Sequence, residues 1–511
     1  MISYIGIALG LILAFLFISY RNDIFWLLNA WRYIQQGIAT RYHPVIGYMN
    51  FVNTPDDKDG DGLVRWREVY KNKKDPSKTE PLILTNGISS HPILFINDEK
   101  LAKDWYSIKT KVALPINMAN FPFTESYFWK DNKTALDQRG ILSKLFLMES
   151  VKKLTPQLIQ IMKRHLSALK AQIEQKGAEG GFADLSLEKS IRDINNDVLG
   201  FVLFGGDTPL VEGVPIPVQL DKVTNQSFMY SQTNFWHKVT SGWYTELGLS
   251  PEFNEIKRLK DLCVQAVKKV VNDRTHSRDY QLGLNLVDII IEHNKKMEAE
   301  GRSEKVFSSK EILDNIVMFI FAAVDTTNTF TRTCIYLLGK HQEHQKVLRE
   351  QVREHIFGGS DTFAGYMDCD YLEDFVTECF RVFGPAWSTF FTRTYKNCKV
   401  GKYRVYKGTG VMISFYTINK RPEDFEKPLE FDLTKYEDKK RTREMKKYLL
   451  IPFGAGNRNC IAQNLALMSI KIFVANLVDK YEVKLSDKPN RTHAHVTCGV
   501  DHAWAKLRAL K

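Results

Sequence analysis

The stretch PFGAGNRNCIAQNLALMSIKIF, starting at Pro452, limits what this chain can fold into more than any other. A turn carrying Phe453, Gly454, Gly456, Arg458 and Cys460 runs straight into an amphipathic helical pattern. Glycines two residues apart let the backbone turn sharply and approach a flat object closely. A cysteine at a helix N-terminus meets backbone N–H groups and the positive end of the dipole, which both favour thiolate. Arg458, two residues earlier, can neutralise an anionic group. A thiolate, a flat apolar group and a carboxylate together describe haem. Taken alone, the stretch also suits a structural loop around a buried cysteine.

The rest of the chain sets that loop in a mostly helical body with a small β part. ESVKKLTPQLIQIMKRHLSALKAQIEQ and EIKRLKDLCVQAVKKVVNDRTH repeat apolar residues at three- and four-residue steps, which predicts helices. Residues 309–356 hold one or two further helices with an apolar middle. Strand candidates are PLILTNG, PILFIND, TRTYKNCKV and GVMISFYT, and a charged meander separates the last of these from Cys460.

Two more clusters carry chemistry. FIFAAVDTTNTF sets Asp325 and Thr326 into an otherwise apolar run, behind the small residues Ala322 and Ala323. A carboxylate beside a hydroxyl suits proton delivery. Glu378 and Arg381, three residues apart, share one helical face, where a paired charge can survive burial.

At these residues the chain resembles the cytochrome P-450 family of haem-thiolate monooxygenases. The family's F-x-x-G-x-R-x-C-x-G loop is matched from Phe453 to Cys460, with Ala462 at its last glycine. Its acid-threonine helix matches Ala322 to Thr327, with Ala323 at the usual glycine, and its E-x-x-R pair matches Glu378 and Arg381. The resemblance covers roughly residues 40 to 505 and implies the P-450 fold, mainly α with a small β part. It implies haem b as cofactor, Cys460 as axial iron ligand, Arg458 on a haem propionate and Phe453 shielding the sulfur. Arg139 and Arg393 match the family's other propionate arginines. Lys435 stands where the family completes its glutamate-arginine network with an arginine, and lysine cannot make the bidentate fork. The implied partners are O2, a lipophilic substrate and an NADPH-dependent flavoprotein reductase. Residues 435–448, with seven basic and three acidic side chains, suit an acidic flavoprotein or a solvated loop.

Residues Ile2 to Tyr20 carry no charge and are long enough to cross about 30 Å of hydrocarbon as a helix. Arg21 and Arg32 follow, which places the body on the cytosolic side. The expected organisation is an anchor over 1–20, an interfacial linker over 21–50 and one haem-binding catalytic domain over 51–511. The implied location is the endoplasmic reticulum. The seven cysteines lack CxxC spacing, which excludes a paired-cysteine zinc site and fits a reducing compartment. A net charge of +12 is spread along the chain with no nucleic-acid module, so a lipid bilayer or an acidic protein suits it better than DNA or RNA.

DKDGDGLVRWRE places Asp57, Asp59, Asp61 and Glu68 at calcium-loop spacing. The segment before it holds Pro44 and Pro55 and does not read as the helix that such a loop needs, so a helix cap explains the same acids. Two other functions remain open on the sequence. One is a P-450-fold isomerase or dehydratase working without a reductase. The other is a membrane-tethered haem- or calcium-binding protein without turnover.

Overall fold

The computed structural model describes residues 10, 30–42, 70–86, 92–108, 111–113, 125–130, 132–176, 181–206, 208–233, 245, 247–277, 283–359, 361–389, 392–394, 396–489, 492–494 and 497–510. The chain forms two compact units, one from residues 1–120, 231–249 and 388–428, the other from 121–230, 250–387 and 429–511.

The first unit carries a six-stranded sheet in the order Ala39–Arg41, Leu82–Asn86, Pro92–Ile96, Gly410–Ile413, Thr392–Thr394, Lys111–Ala113. Leu82–Asn86 and Pro92–Ile96 are antiparallel, and Gly410–Ile413 joins Pro92–Ile96 in parallel. Ile83, Leu84, Leu94 and Ile96 are fully buried, as expected for short apolar runs covered on both faces. The strand read from GVMISFYT stops at Ile413 because the Ser414 side chain caps the next turn. That side chain accepts from Thr417 N, and Phe415–Ile418 becomes helical.

The second unit is built on helices. Met148–Gln175 and Pro251–His276 form where the periodicity predicts. Ser309–Lys340, the Ser309 helix, runs for 32 residues. It opens on a capping box in which Ser308 and Glu311 each accept the other's backbone N–H. Its first half is buried almost all round, from Ile312 to Phe321, so tertiary packing rather than an amphipathic stripe sustains it. The helix breaks at His341 (φ −112°, ψ 75°), and a separate helix follows over Gln342–Val352.

Asp370–Phe383, the Asp370 helix, buries Leu372, Phe375, Val376, Cys379 and Phe380. Gln463–Lys480, the Gln463 helix, follows the cysteine. The meander also contains a helix, Lys439–Tyr448, started by Asp438, which accepts from Lys440 N and Arg441 N. A three-stranded sheet orders Tyr481–Leu485, Trp504–Ala509 and Ala183–Ser186, and Thr492–Ala494 pairs with Cys498–Val500 as a hairpin.

The charge-free stretch 2–20 and the acidic loop with Asp57, Asp59, Asp61 and Glu68 lie outside the described residues, apart from Gly10. Among the described residues no helix is long and apolar enough to cross a membrane.

Candidate active site

The cysteine loop closes on itself. Cys460 N donates to Phe453 O at 2.8 Å, Gly454 N to Ile451 O at 2.9 Å and Asn459 N to Gly456 O at 3.1 Å. Gly454 and Gly456 both sit at φ 71°, a left-handed conformation that other residues resist. The thiol ends up three residues before Gln463, the first residue of its helix.

Cys460 keeps accessible surface, yet surrounding protein crowds it enough that desolvation pushes its thiol pKa up. The Ala462 N–H and the Arg139 charge pull in the opposite direction. An iron held by this sulfur would favour the thiolate against that burial.

Two arginines brace the loop. Arg139 donates to Asn459 O at 2.8 Å and to Asn459 Oδ1 at 2.7 Å. Arg458 donates to the carbonyls of Tyr127 and Phe128, each at 3.3 Å, and of Lys130 at 2.9 Å. These acceptors are neutral carbonyl and amide oxygens. Tyr127 bridges the loop to the Ser309 helix, since its N–H donates to Asn315 Oδ1 at 2.9 Å. Its ring lies 6.0 Å from Phe319. Burial pushes the Tyr127 hydroxyl up to about 12, against the pull of Arg139.

Phe453 meets Phe380 edge-on at 5.1 Å, and Phe380 stacks on Phe330 at 3.7 Å. An aromatic chain thus ties the loop to the Asp370 and Ser309 helices. On the Ser309 helix Ala322 is exposed beside the buried Phe321, and Ala323 is half-buried. Thr326 Oγ1 donates to Ala322 O at 2.6 Å, and Asp325 Oδ2 accepts from Thr497 Oγ1 at 2.8 Å.

Glu378 and Arg381 are fully buried and form a two-point pair, Nε to Oε2 at 2.7 Å and a terminal nitrogen to Oε1 at 2.8 Å. Lys435 Nζ stands 3.8 Å from Glu378 Oε1 and closer, 3.2 Å, to Asp432 Oδ2. The strong third contact comes from Tyr436, whose hydroxyl donates to Glu378 Oε2 at 2.7 Å. Asp432 N adds a bond to Oε1 at 2.9 Å.

The structure therefore gathers Phe453, Arg458, Cys460 and Arg139 in one cluster, and Glu378, Arg381 and Lys435 in another. Ala323, Asp325 and Thr326 follow one another on the Ser309 helix. Arg393 lies in the other compact unit, on the strand Thr392–Thr394. Burial lowers its pKa, and its Nε is buried with no hydrogen-bond partner. Sequence reasoning missed Tyr127, Tyr436, Asn459 and Thr497. Of these only Tyr436 had a pointer, its position beside Lys435.

The residues fit haem. They offer an accessible thiol on a glycine turn, with Arg139 and Arg458 bonded around it. A small-residue step on an apolar helix completes the set. Among the described residues no group of three or more His, Cys, Asp and Glu could hold a metal ion. Side chains so arranged suit a haem held through a single thiolate.

The comparisons with known proteins carry the identification one step further. The family model described as Cytochrome P450 matches residues 64–500. Cytochrome P450 714B3 of Zea mays is 24% identical over 384 residues, 73% of this chain and 67% of that protein. Cytochrome P450 3A25 of Mus musculus is 29% identical over 220 residues, 43% of this chain and 42% of that one. Cyclooctat-9-en-7-ol 5-monooxygenase of Streptomyces melanosporofaciens is 30% identical over 174 residues, 34% of this chain and 38% of that one. The match thus spans about two fifths of the length of the latter two. The chain belongs to the cytochrome P450 family, whose members are haem-iron oxidoreductases.

Proposed function

We propose that this protein is a membrane-anchored monooxygenase that places one atom of O2 into a lipophilic substrate, using electrons from an NADPH-dependent flavoprotein reductase. The observation that carries this reading is Cys460, an accessible thiol on a closed loop braced by Arg139 and Arg458. Haem, when bound, supplies oxygen activation, and a thiolate ligand donates electron density that favours O–O cleavage.

The chain's own residues do the rest. Cys460 would hold the haem iron through its sulfur, and the Phe453 ring, fixed against Phe380, would shield that sulfur once the group is bound. Arg458 and Arg139 set the loop's conformation and present positive charge to haem carboxylates, and Arg393 is assigned a carboxylate by family resemblance alone. Ala323 leaves room beside the helix backbone. Asp325 and Thr326 hold and pass protons, a task suited to an acid and a hydroxyl on adjacent positions. Glu378, Arg381 and Lys435 are structural. The acid-threonine pair favours this reading over an isomerase or dehydratase that runs without a reductase.

Residues 51–511 act as one haem-binding catalytic domain, and residues 1–20 anchor it, with the endoplasmic reticulum as the location and the domain facing the cytosol. Lys440, Arg441 and Arg443, exposed on the Lys439–Tyr448 helix, offer positive charge to an acidic reductase.

The test is spectroscopic and then chemical. Reduced, carbon-monoxide-bound protein is expected to show the red-shifted Soret band of a thiolate haem, and Cys460→Ala is expected to lose it. A band that survives Cys460→Ala sinks the assignment. NADPH-dependent product formation that requires an added reductase separates monooxygenation from isomerisation.

A further inference from the structure

We propose that Thr497 is the positioning residue for the Asp325 carboxylate, a role that rests on Asp325 being the proton-handling acid. Thr497 is buried at 3% exposure in the turn between Thr492–Ala494 and Cys498–Val500. Its hydroxyl donates to Asp325 Oδ2 at 2.8 Å and lies 3.4 Å from the Thr329 hydroxyl, one turn further along the Ser309 helix.

Contacts independent of the carboxylate hold that turn in place. Gly499 packs so tightly on the helix that a Cβ there would stand 2.6 Å from Thr329 Cγ2. Cys498 N donates to Pro385 O at 2.9 Å. The residues that follow Thr497 are thus packed against the Ser309 helix at Gly499 and bonded to Pro385 at Cys498, which holds the Thr497 hydroxyl beside Asp325 as a fixed donor.

A carboxylate has a broad terminal torsion, and nothing in the helix itself would set its plane. The neighbouring hydroxyl is not available for that task. Thr326 has one proton, and it gives it to Ala322 O at 2.6 Å. Orientation therefore falls to a residue 172 positions further along the chain. With Oδ2 tied to Thr497, the carboxylate is held in one orientation and Oδ1 is left to take or give a proton. A hydrogen bond to a charged acceptor is among the stronger ones a side chain can make.

Two measurements on the haem-loaded protein test this. The first is a double-mutant cycle of Thr497→Val, Asp325→Ala and both together, read as denaturant midpoints. The combined variant is expected to lose clearly less than the sum of the single losses, because the second change removes a contact already gone. Additive losses overturn the inference.

The second measurement uses hydrogen peroxide as oxidant and guaiacol as electron donor, with no reductase and no knowledge of the natural substrate. Thr497→Val is expected to lower kcat roughly tenfold with KM for peroxide unchanged, a part of the 10²–10⁴-fold that positioned proton transfer contributes. Thr497→Ser keeps the hydroxyl and is expected to restore the rate. A valine variant with full activity, or a serine variant without rescue, overturns the role. A missing thiolate-haem band overturns the site reading together with the positioning role, and the cycle then reports a bare hydrogen bond. A normal band with an additive cycle overturns the inference alone.

Discussion

Glu378 and Arg381 are both fully buried, so their charges and remaining hydrogen bonds must be met inside the protein. The E-x-x-R spacing announces the pair but not what completes it. Lys435 occupies the place of the family's arginine, yet at 3.8 Å its ammonium makes no hydrogen bond to Glu378. Tyr436 does, and burial followed by the Glu378 charge holds its hydroxyl well above the usual phenol range. The proton therefore stays on the phenol, which can only donate. Tyr436→Phe is expected to cost about 1–3 kcal/mol, the penalty for leaving a buried acceptor short of a donor. Lys435→Met is expected to cost less, since Asp432, partly exposed, loses only a near-surface ion pair. Denaturant midpoints of the two variants decide the point, and a larger loss at Lys435 would restore the lysine to the arginine's role.

One element-scale contact is sensitive to acid. Lys471, on the Gln463 helix and 3% exposed, reaches Glu373 Oε2 on the Asp370 helix at 2.8 Å and Tyr366 O at 3.1 Å. Lys446, on the Lys439–Tyr448 helix, reaches Glu373 Oε1 at 2.9 Å. Burial works to raise the Glu373 pKa, but the two lysines outweigh it and bring it from the ordinary 4.5 to about 2. A lowered folded-state pKa means stability fully present above about 4.5 and lost as pH falls through about 2. Glu373→Gln is thus expected to melt lower than the wild type at pH 7, with the gap closing between pH 4.5 and pH 2. A gap that stays constant across that window would show that the carboxylate's charge is not what joins these helices. The helices themselves were mostly legible from periodicity. The Lys439–Tyr448 helix was not, because KKRTREMKKY has no apolar stripe to show, and its cap at Asp438 is a single residue.

At the scale of the whole molecule, legibility followed the distance along the chain between cooperating residues. The cysteine loop, the acid-threonine step and the glutamate-arginine pair each lie within a few residues, so their chemistry could be read locally. Thr497 and Tyr127 act through partners far along the chain, and no local pattern marks them. Four strands of the six-stranded sheet could be read in PLILTNG, PILFIND, TRTYKNCKV and GVMISFYT, but not their assembly, since the strands come from both ends of the first unit's chain. The membrane assignment rests on the opposite kind of signal, one long local run. No described helix meets the length and hydropathy that a crossing needs, and the proposed anchor is the charge-free run 2–20. Deleting 2–20 is expected to move the protein from a carbonate-resistant membrane pellet to the supernatant. The red-shifted Soret band is expected to persist, because the described contacts of Cys460, Arg139 and Arg458 are made to Phe453, Asn459 and residues 127–130. A shortened chain that still resists carbonate would mean that the described surface binds lipid directly, and the anchor reading would fall.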